Sequence, residues 1–283
     1  MIIWIASYPK SGNTWVRSFL NSLFFSEDGN ASLHIKIGQY PLKSHFKKYI
    51  NDFSNINEIG KYWEVSQNLI NTDRKFKFLK THHVLCNING NNFATIKNTL
   101  GVIYVVRDPR NVVTSVLNQY LKKNYTEAMN FMFDKNHCID VESHSHKNLS
   151  NKEIMYTLIS TWNNHYNSWK SFPKNYFLIK YENLIENPEK EFFKLSKYLS
   201  KILNVKLDEE KIKIAIKSNS FENLKKLEET SGFFEAVKNE KTGKTNKFFN
   251  LGPKNKWQNL LDDETRNEIE IKFRKEMIEL GYL

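Results

Sequence analysis

The chain has 283 residues and a formal net charge of +11, with 40% hydrophobic and 14% aromatic residues. That composition belongs to a folded globular chain and not a disordered one, and no apolar run reaches the roughly eighteen residues a membrane-spanning helix needs. Cys86 and Cys138 are too few for a disulfide scaffold and lack the paired spacing of a zinc site, so no metal is expected. The basic balance suits nucleic acid, an anionic cosubstrate or an acidic acceptor. The lysines are scattered, however, and that argues against a nucleic-acid-binding module. The chain begins on an apolar segment, and Lys10 comes too late for the charged start of a secretory signal. A cytoplasmic protein without leader or anchor is expected.

In chain order, Ile2-Ile3-Trp4-Ile5-Ala6 reads as a buried strand over 2–7, followed by the turn Tyr8-Pro9-Lys10-Ser11-Gly12-Asn13-Thr14-Trp15 and a helix from Thr14 to about Phe25. Such a turn leaves backbone N–H groups pointing one way, which makes an anion site. Lys10 adds a mobile charge, Ser11 and Thr14 add hydroxyls, and Trp15 offers a flat face to an adenine. The usual triphosphate loop places its lysine after the last glycine, whereas Lys10 precedes Gly12. Residues 27–74 show no strong period and are expected to hold short helices and loops. A strand over 76–81 ends in Lys80-Thr81-His82. In open α/β sheets ligands sit outside the carboxyl ends of strands, so Lys80 and His82 should face the group held by Lys10. His82 would then be the proton acceptor, with His83 turned the other way by strand alternation.

Residues 101–106 form the clearest buried strand, and Arg107 at its end offers a forked donor pair suited to a phosphate. Ser115 lies two turns into the helix that Pro109 opens. Residues 122–150 lose periodicity and read as a flexible excursion. Ile154, Leu158, Trp162, His165, Tyr166 and Trp169 mark a long amphipathic helix. A strand over 176–181 follows, then a helix bearing Phe192, Leu195 and Leu199, and two short helices over 208–217 and 220–229. A loop over 238–256 precedes a last helix with Ile269, Phe273, Met277 and Leu280. Strands alternating with helices predict a layered α/β fold with a mainly parallel sheet. No repeat or long linker divides the chain, so a single domain over 1–283 is expected.

The order Tyr8 to Trp15 closely resembles the 5′-phosphosulfate-binding loop of the sulfotransferases that use 3′-phosphoadenosine 5′-phosphosulfate (PAPS). Lys80-Thr81-His82 and the pair Arg107 and Ser115, eight positions apart, are similar to that family's base-bearing and 3′-phosphate-binding stretches. Lys180-Tyr181-Glu182-Asn183-Leu184 and Asn219-Ser220-Phe221 are similar to its adenine-contacting segments. The resemblance implies a three-layer, P-loop-like fold and metal-free, in-line transfer of a sulfuryl group from PAPS to a hydroxyl or amine. It implies His82, Lys10 and Lys80 as catalytic residues, and Lys10, Ser11, Gly12, Asn13, Thr14, Trp15, Arg107, Ser115, Tyr181, Phe221 and Gly252 as cosubstrate contacts. Around Gly252 the chain departs from the family, because Asn250 and Leu251 stand where a basic pair is usual. Lys244, Lys247 and Lys254 are the candidates to replace it.

The resemblance covers residues 1–26, 76–121, 156–200 and 218–260, leaving 27–75, 122–150 and 229–248 as expected walls of an acceptor pocket. Tyr40, Phe46, Tyr49, Phe53, Tyr125, Phe131, Phe133, Phe233 and Phe234 are available either to line that pocket or to fill core. A small-molecule or carbohydrate acceptor is implied, its identity and the oligomeric state being left open. The competing class is an ATP-dependent small-molecule kinase of P-loop-like fold, which would need magnesium and prefer ATP over adenosine 3′,5′-bisphosphate (PAP).

Overall fold

A strand without a polar face has to be covered on both sides. In the computed structural model, which describes residues 1–139, 153, 155–238, 243 and 245–283, all six residues of β1 (Ile2–Ser7) are buried at the centre of a five-stranded sheet. From β1 the chain runs through α1 (Asn13–Phe25), β2 (Gly38–Gln39), α2 (Ile56–Gly60) and α3 (Trp63–Ile70) to β3 (Lys77–Thr81). A small hairpin, β4 (Asn87–Ile88) and β5 (Asn91–Asn92), leads to β6 (Thr99–Val106), α4 (Pro109–Gln119) and α5 (Tyr125–Phe133). A second short ladder, β7 (Cys138–Ile139) and β8 (Thr157–Leu158), precedes α6 (Trp162–Lys170) and β9 (Tyr176–Lys180). The helices α7 (Tyr181–Glu186), α8 (Pro188–Leu203), α9 (Glu209–Ser218) and α10 (Phe221–Ser231) follow, then the hairpin β10 (Val237–Lys238) and β11 (Thr245–Asn246), and finally α11 (Asp263–Glu279).

The sheet order is β2-β3-β1-β6-β9, and every pairing in it is parallel. Side chains on a strand alternate between faces. Ile2, Trp4 and Ala6 therefore pack with Trp63, Trp169 and Phe273 on one side, while Ile3 and Ile5 pack with Phe19, Phe192 and Leu199 on the other. This is the expected three-layer α/β architecture. The parallel register aligns the carboxyl ends of the strands, with Ala6 opposite Thr81, Ser7 opposite Val105, and Val106 opposite Lys180. The chain leaves β1 to one side for β3 and returns to its other side as β6, so a crevice opens beyond the β1 and β6 ends.

Local structure departs from expectation in four stretches. Within 122–150, Asn124 caps a helix by accepting from the Glu127 N–H, and Ala128, Met129, Phe131 and Met132 are its buried face. Residues 140–152 lie outside the described residues, as does Ile154. The amphipathic helix expected to begin near Ile154 starts only at Trp162, because Thr157 and Leu158 pair with Ile139 and Cys138 and the Thr161 side chain caps α6. Tyr181 is the first residue of α7 and not the last of the strand, and the stretch expected as a loop over 238–256 carries the hairpin that begins at Val237 and a 3₁₀ turn over Gly252–Lys254, with a second at Trp257–Asn259 just beyond it. Among the described residues, no helix is long and apolar enough to cross a membrane.

Candidate active site

The turn after β1 bends through Lys10 at φ 68° and Gly12 at φ 98°, a region that only glycine enters freely. Space also demands glycine at position 12, since a Cβ there would lie 2.4 Å from the Tyr181 ring. Asn13 braces the turn by donating to the Ile5 carbonyl (3.0 Å) and to Ser7 Oγ (3.2 Å). No side chain caps α1, so its first N–H groups lack intrahelical partners. They border a cleft of about 520 Å³ lined by Lys10, Gly12, Asn13, Thr14 and Trp15 from this segment. Ser11 departs from expectation. Its side chain is buried, does not line the cleft, and its Oγ has no hydrogen-bond partner among the described residues.

From the other strand ends the same cleft receives Lys80, His82, Arg107, Ser115, Tyr181, Phe221 and Gly252. Lys10 donates to Gln119 Oε1 (3.0 Å) and its ammonium lies 4.2 Å from the centre of the Phe248 ring. Burial lowers its pKa to about 7; Glu235 opposes that shift, and Arg107 and Lys80 add to it. His82 donates Nδ1–H to the Ser7 carbonyl (2.8 Å). A neutral imidazole with Nδ1 protonated carries its lone pair on Nε2. Burial, and then the charge of Lys80, hold this imidazole well below its ordinary pKa and hence neutral. His83 is stacked on Phe93 (4.1 Å) in the core, donates to the Val84 carbonyl, and does not line the cleft.

Arg107 donates through Nη1 to the Lys10 carbonyl and to Ser115 Oγ (both 3.2 Å), and its guanidinium lies 4.2 Å over the Tyr181 ring. Its Nε is buried and has no hydrogen-bond partner among the described residues. Trp15 is anchored by its indole N–H to the Asn219 carbonyl (2.7 Å). Phe221 packs so closely on Gly252 that a Cβ there would meet its ring at 2.2 Å.

Four participants carried no motif. Glu235 sits in the midst of the cradle, accepting from Arg17 Nη2 (2.5 Å), Thr14 Oγ1 (2.9 Å) and Lys80 Nζ (3.3 Å). Burial raises its pKa, but the opposing charges of Arg17 and Lys80 outweigh that and hold the carboxyl far below the usual range. Arg17 was legible in principle, lying one helical turn beyond Thr14 on the same face. Gln119 supplies the partner of Lys10. Asn255 occupies the corner assigned to a substitute lysine, donating to Ser115 Oγ (3.0 Å) and accepting from Thr114 Oγ1 (2.8 Å). Lys247 instead pairs with Glu229 (2.6 Å), Lys254 is exposed, and Lys244 lies outside the described residues. Of the nine aromatics available to line an acceptor pocket or to fill core, Phe234 alone lines the cleft, whereas Tyr40, Phe46, Phe131 and Phe233 are buried in the core clusters. Among the described residues, no three His, Cys, Asp or Glu side chains converge as a metal site.

A sulfotransferase domain family model matches residues 2–281. Among solved structures, mouse sulfotransferase SULT7A1 complexed with PAP is similar over 97% of this chain and 83% of that one, at 17% identity and a TM-score of 0.56. Retinol dehydratase in complex with androsterone and the inactive cofactor PAP is similar over 98% of this chain and 80% of that one, at 17% identity and a TM-score of 0.58. At that identity the likeness is one of fold. No curated protein matches the sequence.

Proposed function

The chain belongs to the sulfotransferase domain family, and we propose that it transfers a sulfuryl group from PAPS to a hydroxyl or amine of a small-molecule or carbohydrate acceptor, with His82 as general base. One observation carries this reading: the lone-pair face of a neutral imidazole and an anion cradle share a single cleft. The cradle's fit to an anion is visible directly, because Thr14, Arg17 and Lys80 already converge on the carboxylate of Glu235. The site draws on residues from Lys10 to Asn255, which supports reading 1–283 as one domain.

PAPS, when bound, supplies the sulfuryl group and leaves as PAP. Lys10, Thr14, Lys80 and the first N–H groups of α1 would hold its 5′ end, with Arg107 and Ser115 at the 3′-phosphate. Trp15, Tyr181 and Phe221 would surround the adenine. His82 Nε2 takes the proton of the acceptor hydroxyl, while Lys10 and Lys80 neutralise charge developing on the donor side.

PAP is expected to raise the melting temperature substantially more than ATP with magnesium, since only a ligand of the folded state stabilises it. The reverse order would favour a kinase. The affinity for PAP should also depend on pH through Lys10, whose pKa is about 7 in the free protein. A bound anion raises that pKa. Below pH 7 the lysine is charged in both states and contributes no slope. Above pH 7 the free protein has lost a proton that the complex keeps, so affinity falls by up to about tenfold per pH unit. Calorimetric titration between pH 6 and 9 reads this slope, and Lys10→Met should remove it.

Glu235→Gln leaves Arg17 and Lys80 as buried charges without a counter-charge, which costs about 3–5 kcal/mol of stability. PAP returns an anion to the same place. The melting temperature without ligand should therefore fall, and the rise produced by PAP should exceed that of the parent protein. A smaller rise would mean that Glu235 helps to hold the ligand and does not compete with it.

A further inference from the structure

One face of α6 donates to three backbone carbonyls just beyond the carboxyl ends of β3 and β6. Trp162, His165 and Trp169 fall at the i, i+3 and i+7 spacing of a single helix face. Trp162 Nε1 donates to the Arg107 carbonyl (3.2 Å), His165 Nε2 to the His82 carbonyl (3.0 Å) and Trp169 Nε1 to the His83 carbonyl (2.9 Å). Each bond lands on, or next to, a residue of the cleft. Behind His165, its Nδ1 is 2.8 Å from the hydroxyl of Tyr104 in β6, and both side chains are fully buried.

The proton positions follow from the partners. A carbonyl can only accept, so His165 Nε2 carries a hydrogen. Burial holds the ring neutral, with a pKa of about 3, so Nδ1 is a lone pair and Tyr104 must donate to it. The ring of His165 also meets Tyr8 edge to face at 5.7 Å, touching the turn that leads into the cradle. We propose that His165, oriented by Tyr104, is a positioning residue that fixes the backbone of His82 and so aims its Nε2 into the cleft.

The proposal rests on reading His82 as the base, and the experiment separates the two. His165→Leu removes the N–H and keeps an apolar side chain. His165→Gln places an amide N–H near the position of imidazole Nε2. Tyr104→Phe removes only the donor that fixes the tautomer. Transfer of radiolabelled sulfuryl from PAPS is measured against a panel of phenol, alcohol, amine and sugar acceptors, with release to water as the baseline. Misplacing a reacting group by about 1 Å costs up to about 10²-fold. His165→Leu is accordingly expected to lower kcat by about 10- to 10²-fold with KM for PAPS unchanged, His165→Gln to recover most of that loss, and Tyr104→Phe to show a smaller one. The imidazole ¹⁵N shifts should report a single Nδ1–H tautomer of His82 in the parent protein and a mixture in His165→Leu or, should that variant not fold, in Tyr104→Phe. Unchanged kcat per folded molecule in Tyr104→Phe and in His165→Leu, or a Gln variant no better than Leu, overturns the positioning role. Activity retained in His82→Ala overturns the base assignment itself.

Discussion

His82→Ala is expected to lower kcat by about 10²–10⁴, the contribution of a positioned general base, with the affinity for PAP within a factor of about two of the parent protein. The split follows from where the imidazole is tied. Its Nδ1–H is committed to the Ser7 carbonyl at the end of β1, and its Nε2 lone pair is the part left to the cleft. The groups that grip the anion are separate: Thr14, Arg17 and Lys80 converge on Glu235, Lys10 is held by Gln119, and no hydrogen bond joins His82 to any of them. Removing the ring therefore deletes a proton acceptor and leaves the cradle standing. The loss corresponds to about 3–5 kcal/mol of transition-state stabilisation. Steady-state transfer from PAPS over the acceptor panel, set beside calorimetric titration with PAP, measures both halves. Full activity in the variant removes His82 from the chemistry, and loss of PAP binding would place it in the cradle instead.

Gly12→Ala should do the reverse, sharply weakening PAP binding while most of the fold survives. Two penalties coincide at this position. The backbone sits at φ 98°, where a Cβ is strained by about 1–3 kcal/mol, and the added methyl would lie 2.4 Å from Cδ2 and 2.9 Å from Cε2 of Tyr181. Tyr181 has little room to retreat, because the Arg107 guanidinium lies on its ring at 4.2 Å and Trp15 meets it edge on at 6.0 Å. Relief has to come from the turn itself, which rotates the first N–H groups of α1 away from a common focus. An affinity loss on the order of 10²-fold is expected, about 2.7 kcal/mol, with a near-parent circular dichroism spectrum. Parent-like PAP binding in a folded Gly12→Ala protein would exclude this turn as the anion site.

The strands over 2–7, 76–81 and 101–106 and the turn between Tyr8 and Trp15 were legible because their signals are local. Unbroken apolar runs over 2–6 and 101–106 call for burial on both faces, the aromatic and apolar residues of 76–79 mark a strand between them, and a glycine within a polar turn before a helix announces uncapped N–H groups. Arg107 and Ser115 could be paired because their spacing of eight matches the resemblance, and the pair does meet in the structure at 3.2 Å. The helix over Tyr125–Phe133 was missed because its apolar residues are interleaved with asparagine and glutamate in a lysine-rich stretch, and its cap, Asn124, looked like one more loop residue. Whether the nine aromatics lined an acceptor pocket or filled core was a question of inside or outside, which composition does not answer. Tyr40, Phe46, Phe131 and Phe233 went to the core and Phe234 to the cleft.

By itself, then, the order of residues determined a parallel α/β sheet and which strand ends carry Lys10, Lys80, His82 and Arg107, since each of those features is written within a dozen neighbouring positions. Tertiary structure alone decided that Glu235 occupies the cradle from 218 residues beyond Arg17, that Asn255 meets Ser115 across 140 residues, and that His165 holds the carbonyl of His82 across 83. Those contacts obey no periodicity, because a parallel sheet gathers its carboxyl ends, and the loops and helices beyond them, on one edge whatever their distance along the chain.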